Sequence, residues 1–246
     1  MANKQVRQLF QEWYKSDLGR SVLERELSII EQQTEGSVGY FAVIQSPLID
    51  LPLSKSHIRN QIMLAPIMEL GASKNTIIGL SNELPLDSDG VDVHIMHHSL
   101  DLSEAPHDDV REAARTLLPS GRVVIIGFNP WSLWGGRKMA SNRLHAPWCS
   151  RFISPKRLED WLKVAGLTLD SVEYICFRPP VRKASWYQSV RHIGRALELT
   201  HLPLGGVYII SATKQVRRHI AIKPRWKRAK VRVPSITKPI VKEMQD

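Results

Sequence analysis

Asn82 to Pro130 reads NELPLDSDGVDVHIMHHSLDLSEAPHDDVREAARTLLPSGRVVIIGFNP. Val91 to Met96 is a short apolar run entered through the turn Asp87-Ser88-Asp89-Gly90. Asp108 to Leu118 has helical spacing, and Val123 to Phe128 is an unbroken apolar run after the turn Pro119-Ser120-Gly121. Strand, helix and strand over this length make a βαβ unit, whose two strands lie parallel in one sheet. Continuous apolar runs, rather than alternation, mean that both faces of the sheet are covered.

Outward from this unit the chain supplies more strands. Tyr40 to Ile44, Gln61 to Ala65 and Thr76 to Leu80 precede it; Leu167 to Phe177 and Val207 to Ala212 follow it. Gly205-Gly206 before the last run suggests a closing antiparallel hairpin. Ser16 or Asp17 caps a helix carrying Leu18, Val22, Leu23, Leu27, Ile29 and Ile30, which lies across the domain edge or forms a dimer contact. Trp13-Tyr14 is read as an exposed aromatic pair ahead of that helix. Leu51 to Asn60 reads as a short helix with Pro52 near its first turn. Ser154-Pro155 starts another helix and Gly166 ends it. Asn129 to Lys138 reads as a loop with two Trp and two Gly beyond the end of a buried strand, where open α/β sheets bind ligands. Trp131 and Trp134 there either wall a pocket or cover the sheet edge.

Composition sets further bounds. The 246 residues suffice for one large domain, or one domain with an appendage. No apolar run approaches the roughly 20 residues of a membrane span, and the start has no signal-peptide pattern, so the expected location is the cytoplasm. Cys149 and Cys176 lie far apart, consistent with reduced thiols and with no metal pair. The formal net charge is +10, but Lys214 to Asp246 holds eleven of the 34 Lys and Arg and two of the 24 acids. That segment is therefore +9 and the body is nearly neutral. Arg225, Trp226, Lys227 and Arg228 at its centre suit an arm that meets nucleic-acid phosphates, with Trp226 stacking on a base. A solubilising tail, or one touching acidic protein or lipid surface, remains open. The expected division is a helical extension at 1–35, the α/β domain at 36–213 and the basic tail at 214–246.

Leu84-Pro85-Leu86, Val91-Asp92-Val93 and Arg111 to Arg122 (REAARTLLPSGR) carry a resemblance. They are similar to the second half of class I S-adenosylmethionine-dependent methyltransferases of the broad type-11 group. Gly127 to Ser132 and Leu18 to Glu24 resemble a smaller bacterial set of such proteins. The resemblance implies a Rossmann-like fold: a mostly parallel seven-stranded sheet, helices on both faces and a C-terminal antiparallel hairpin. It implies S-adenosylmethionine as cofactor, with contacts at Gln45 and Ser46, at Ser81, Asn82 and Glu83, and at Met96 in the end of the fourth strand. His97 and His98 sit where proton-transfer groups could act, although a structural role fits them equally. Asn129, Trp131 and Trp134 would form the acceptor pocket. The departure is at the cofactor turn: no glycine lies between Tyr40 and Leu70, and the second strand ends without an acid. Two readings follow: a methyltransferase with an unknown acceptor, or a member of the fold without chemistry that binds nucleic acid or protein through its tail.

Overall fold

The computed structural model describes residues 2–35, 39–51, 53, 58–141, 145–180 and 202–215. Two helices come first, α1 (Ala2–Lys15) and α2 (Asp17–Thr34). Strands β1 (Phe41–Gln45), β2 (Asn60–Ala65), β3 (Thr76–Ile78) and β4 (Val91–His97) follow, then α3 (Ser99–Leu102), α4 (Pro106–Thr116) and β5 (Leu117–Phe128). Helices α5 (Leu133–Ala140) and α6 (Pro155–Val164) precede the last strands, β6 (Leu167–Ile175) and β7 (Val207–Lys214).

The seven strands form one sheet in the order β3-β2-β1-β4-β5-β7-β6. The first five are parallel, and β7 runs antiparallel to both β5 and β6. The expected mixed sheet with its closing antiparallel pair is therefore present. Strand alternation divides the apolar runs between two cores. Ala42, Ile44, Val93, Ile95, Val124 and Ile126 face α1 and α2, which add Phe10, Tyr14, Val22 and Ile30. Val43, Met96, Val123 and Ile125 face α4 and α6, which add Val110, Ala113, Leu158 and Leu162. The described residues of 1–35 thus supply one of the two helical layers.

Several local expectations are corrected. Trp13 and Tyr14 belong to α1 and are not an exposed pair; Tyr14 is buried, and Trp13 meets Phe128 and Trp134 edge-on. The helical period 7, 10, 14 puts Arg7, Phe10 and Tyr14 on the buried stripe. No helix covers the described residues of 51–60, and Asn60 already opens β2; 52 and 54–57 lie outside the described residues. Pro119-Ser120-Gly121 is an excursion inside β5, with the register jumping from Val91↔Leu117 to Val93↔Arg122 and Ser120 at φ 68. The loop after β5 turns into α5 at Leu133, capped by Ser132, whose hydroxyl accepts from the Gly135 amide. β7 extends through Lys214, whose ammonium donates to Asp89 at 2.7 Å and to the Leu117 carbonyl at 2.6 Å, so the sheet includes the first residue of the expected tail. Ser16 caps α2, and Ser154 caps α6 with Pro155 in its first turn, as the sequence indicates.

The α1–α2 corner requires glycine. A Cβ on Gly19 would stand 2.1 Å from the Trp13 carbonyl oxygen and 2.7 Å from the Tyr14 Cα. Backbone cannot yield as a side chain does, so Gly19→Ala is expected to cost about 2–3 kcal/mol, at the upper end for overpacking. Chemical denaturation followed by circular dichroism measures this; a loss below about 0.5 kcal/mol, typical of a neutral surface change, would contradict the close packing.

Candidate functional site

The strand order reverses at β1 and β4, the switch point where doubly wound sheets bind ligands beyond their strand C-termini. A cleft of about 310 Å³ opens there. Arg7, Gln45, Ser46, Ser81, Asn82 and Asp109 are among its lining residues. Gln45 ends β1 and is 2% exposed, yet neither its Nε2 nor its Oε1 has a hydrogen-bond partner. A buried amide left without partners costs about 1–3 kcal/mol.

Side chains hold the turn after β1. Arg7 of α1 donates through Nη1 to the Ser46 carbonyl at 2.9 Å and through Nε to Glu69 at 3.0 Å. Gln11 donates to the Pro47 carbonyl at 3.1 Å and to Glu69 at 2.8 Å. The Ser46 hydroxyl accepts from the Leu48 amide at 3.1 Å and pairs with His97 Nδ1 at 2.8 Å.

Below that turn lies a sealed polar network. Glu26 Oε1 meets His98 Nε2 at 2.9 Å, and Glu26 Oε2 meets His97 Nε2 at 3.2 Å. The Tyr14 hydroxyl is 3.2 Å from Glu26 Oε2 and 3.3 Å from His97 Nε2. His98 Nδ1 pairs with Asp101 Oδ2 at 2.8 Å, and that oxygen also accepts from the Phe128 amide at 3.1 Å. Burial alone would lower the His98 pKa, but Glu26 and Asp101 overcome it and hold the imidazolium up to about 9. Burial likewise pushes Glu26 up, yet the two histidines bring it down to about 2. For His97 burial prevails and lowers the pKa, and burial takes His94, whose ring nitrogens have no partner, to about 4.

A second, open groove of about 640 Å³ borders the cleft, and Ala105 lines both. Trp131, 74% exposed, stands on its rim with Lys138, Arg151, Arg157 and Trp161. Its lining residues include no Asp or Glu. Lys138 lies 4.3 Å over the Phe152 ring and Arg157 5.4 Å over Trp161, so the cations are set against aromatic faces.

The structure therefore gathers Gln45, Ser46, Ser81 and Asn82 in one cleft, and puts Trp131 in the neighbouring groove. Glu83 is exposed beside the cleft and does not line it. Met96 lies fully buried in the core facing α4 and α6. Asn129 is buried as a staple, donating to the Pro203 and Gly205 carbonyls at 2.9 and 3.0 Å, and accepting from the Trp131 amide at 3.0 Å. Trp134 is a core side chain whose indole N–H donates to the Arg178 carbonyl at 2.8 Å; it walls neither the cleft nor the groove. His97 and His98 have no exposed surface. Arg225, Trp226, Lys227 and Arg228, with the rest of the basic arm, lie outside the described residues. Sequence reasoning missed Arg7, Glu26 and Asp109. For Glu26 a signal existed: Val22, Glu26 and Ile30 share one helical stripe.

No protein-family model matches the chain. An uncharacterized protein of Escherichia coli, YafS, is 34% identical over 134 residues, which cover 54% of this chain and 52% of that protein. The match thus spans about half of each. Among solved structures, a SAM-dependent methyltransferase from Thermotoga maritima aligns with TM-score 0.58 at 15% identity, over 85% of this chain and 100% of that one. The [4+2]-cyclase SpnF aligns with TM-score 0.58 at 14% identity, over 87% of this chain and 95% of that one. These likenesses establish the fold: the chain has the class I S-adenosylmethionine-dependent methyltransferase architecture. Among the described residues no helix is long and apolar enough to cross a membrane.

Asp109, at 1% exposure, leaves Oδ2 without a partner at the cleft, and burial pushes its pKa up to about 6 from 3.8. Its native pKa lies above its unfolded value, so protonation favours the native state. That contribution is complete below about pH 4 and is lost as the pH rises through 6. Asp109→Asn is therefore expected to be the more stable protein at pH 8, by up to about 3 kcal/mol, with the difference vanishing at pH 4. Denaturant midpoints across that range measure it; a difference independent of pH would contradict the burial.

Proposed function

We propose that the chain binds S-adenosylmethionine in the cleft and transfers its methyl group to an acceptor held in the groove beside Trp131. The observation that carries this reading is the Gln45 amide: a lining residue of the cleft at the switch point, buried and left without a partner at either end. Gln45 and Ser46 replace the usual glycine-rich turn, presenting side chains where that turn presents backbone amides. Ser81 and Asn82 line the cleft near the turn that, by resemblance, meets the adenine. The cofactor supplies an electrophilic methyl carbon on a sulfonium. The protein's contribution is to hold the acceptor in line and exclude water.

In this reading His97 and His98 touch neither reactant. They are positioning residues, acting through the His97–Ser46 bond on the turn that closes β1. Asp109 is a carboxylate lining the cleft that can take a proton, with burial raising its pKa to about 6. The groove, lined by Lys138, Arg151 and Arg157 without an acid, favours acceptors that carry negative charge.

Titration calorimetry with S-adenosylmethionine and S-adenosylhomocysteine tests the proposal. Saturable binding is expected, weakened at least about tenfold in Gln45→Leu, the loss of one or more buried hydrogen bonds. Absence of heat up to about 1 mM ligand would overturn it.

A second reading draws on the missing glycines and the +9 segment: a fold without chemistry that binds nucleic acid through its basic end. Removing 217–246 spares β7 and its Lys214 contacts. Under this reading the truncation abolishes salt-dependent RNA or DNA binding seen with the full chain. Undiminished binding after truncation would exclude the arm.

A further inference from the structure

We propose that Glu26, His97 and His98 form a closed structural site for one divalent transition-metal ion, with zinc the best match. These residues lie on two separate elements, α2 and the end of β4, and all are fully buried. One ligand atom from each falls within 4.8 Å of the others. The spacing suits a metal as well as a hydrogen bond. Glu26 Oε2, His97 Nε2 and the Tyr14 hydroxyl stand 3.2, 3.2 and 3.3 Å apart. The Tyr14 hydroxyl is thus placed as the fourth donor beside Glu26, His97 and His98, since four donors about 2.0–2.1 Å from a tetrahedral ion are separated by about 3.3–3.4 Å. Glu26 Oε1 and His98 Nε2, at 2.9 Å, need to part only slightly.

Two independent features point the same way. The first is the support behind each imidazole: His98 Nδ1 is engaged by Asp101 at 2.8 Å and His97 Nδ1 by the Ser46 hydroxyl at 2.8 Å. Both rings therefore turn Nε2 toward the Glu26 carboxylate. A carboxylate or hydroxyl on the far nitrogen is how proteins orient histidine ligands. The second is formal charge. Glu26 and Asp101 bring two carboxylates into one sealed volume, at 0% and 1% exposure. Sealed carboxylates persist only when paired. A divalent ion with both imidazoles neutral balances the charge of two carboxylates.

The surroundings select the kind of site. Phe128 stacks on His98 at 4.1 Å between ring centroids, and Phe10 and Tyr14 close over the pair at 6.4 and 5.7 Å from His98 and His97 respectively. Glu26, His97 and His98 are each 0% exposed, so none of them opens onto solvent. A two-histidine, one-carboxylate iron centre needs open coordination positions, and this pocket offers none. Zinc takes imidazole nitrogen and carboxylate oxygen in tetrahedral geometry, and the closure of this site, rather than its donor types, makes the role structural. The ion would pin the α1–α2 layer to the switch point and, through His97 and Ser46, stiffen the cleft. With no route in from the surface, loading is coupled to folding.

The test is metal content of the full-length protein produced in zinc-supplemented and in cobalt-supplemented medium. Roughly one equivalent, retained through desalting and released by a chelator only in partial denaturant, is expected for a site loaded during folding. The cobalt form should show the visible bands of a four-coordinate ion. Glu26→Gln should lose the metal. His97→Cys should keep it and add a thiolate-to-cobalt band, which places the ion at this cluster even if Glu26→Gln does not fold. Folded protein with less than about a tenth of an equivalent after supplementation would overturn the proposal. So would a cobalt spectrum unchanged by His97→Cys. Metal content is read without S-adenosylmethionine, so it stands or falls separately from the cofactor reading.

Discussion

A carboxylate with no solvent exposure lies between the helical layer and the switch point of the sheet, and the architecture around the cleft follows from satisfying it. Glu26 on α2 is 0% exposed. An isolated ionised carboxylate there would cost several kcal/mol, so its partners are not optional. They come from α1 (Tyr14) and from the end of β4 (His97 and His98). Satisfying one group thus fixes the seating of both N-terminal helices and the exit of the strand that flanks the cleft. Gly19 makes this feasible, because only its missing Cβ lets α2 turn back tightly enough against α1.

The same network explains how the fold manages without glycines after β1. A glycine-rich turn serves a ligand by letting backbone amides approach it. Pro47 removes one amide here, and Ser46 and Pro47 are held by their carbonyls, through Arg7 and Gln11. The turn is braced from the helix side and offers side chains to the cleft. Arg7 and Gln11 also share Glu69, from the segment after β2, so the same two side chains tie α1 to the ends of β1 and β2.

The sheet was legible because its signals are local. Val91 to Phe128 declares strand, helix and strand through apolar runs and punctuation, and the flanking runs at 41–45, 60–65 and 207–214 have the composition of buried strands. The cleft was legible in part: Gln45, Ser46, Ser81 and Asn82 were placed by the family resemblance, and the structure gathers them in one cleft. What escaped depends on distant partners. Asn129 and Trp134 look like pocket residues in a Trp- and Gly-rich loop, but the carbonyls that claim them, of Pro203, Gly205 and Arg178, lie more than 40 residues away. Glu26 reads as a solvated charge until the period 22, 26, 30 is applied to it. Arg7 reads as N-terminal surface until Phe10 and Tyr14 define the stripe it belongs to.

The placement of the histidines bears on which chemistry the fold can support. A general base must reach the proton it removes, directly or through one water. His97 and His98 are enclosed by Tyr14, Phe10 and Phe128, and each already engages a carboxylate. Both ring nitrogens of each histidine are engaged, by Glu26 and Asp101 for His98 and by Glu26 and Ser46 for His97, so neither ring has a nitrogen left to take a proton from a reactant. Asp109 has the opposite character: buried at the cleft, with an unpartnered oxygen and a pKa near 6.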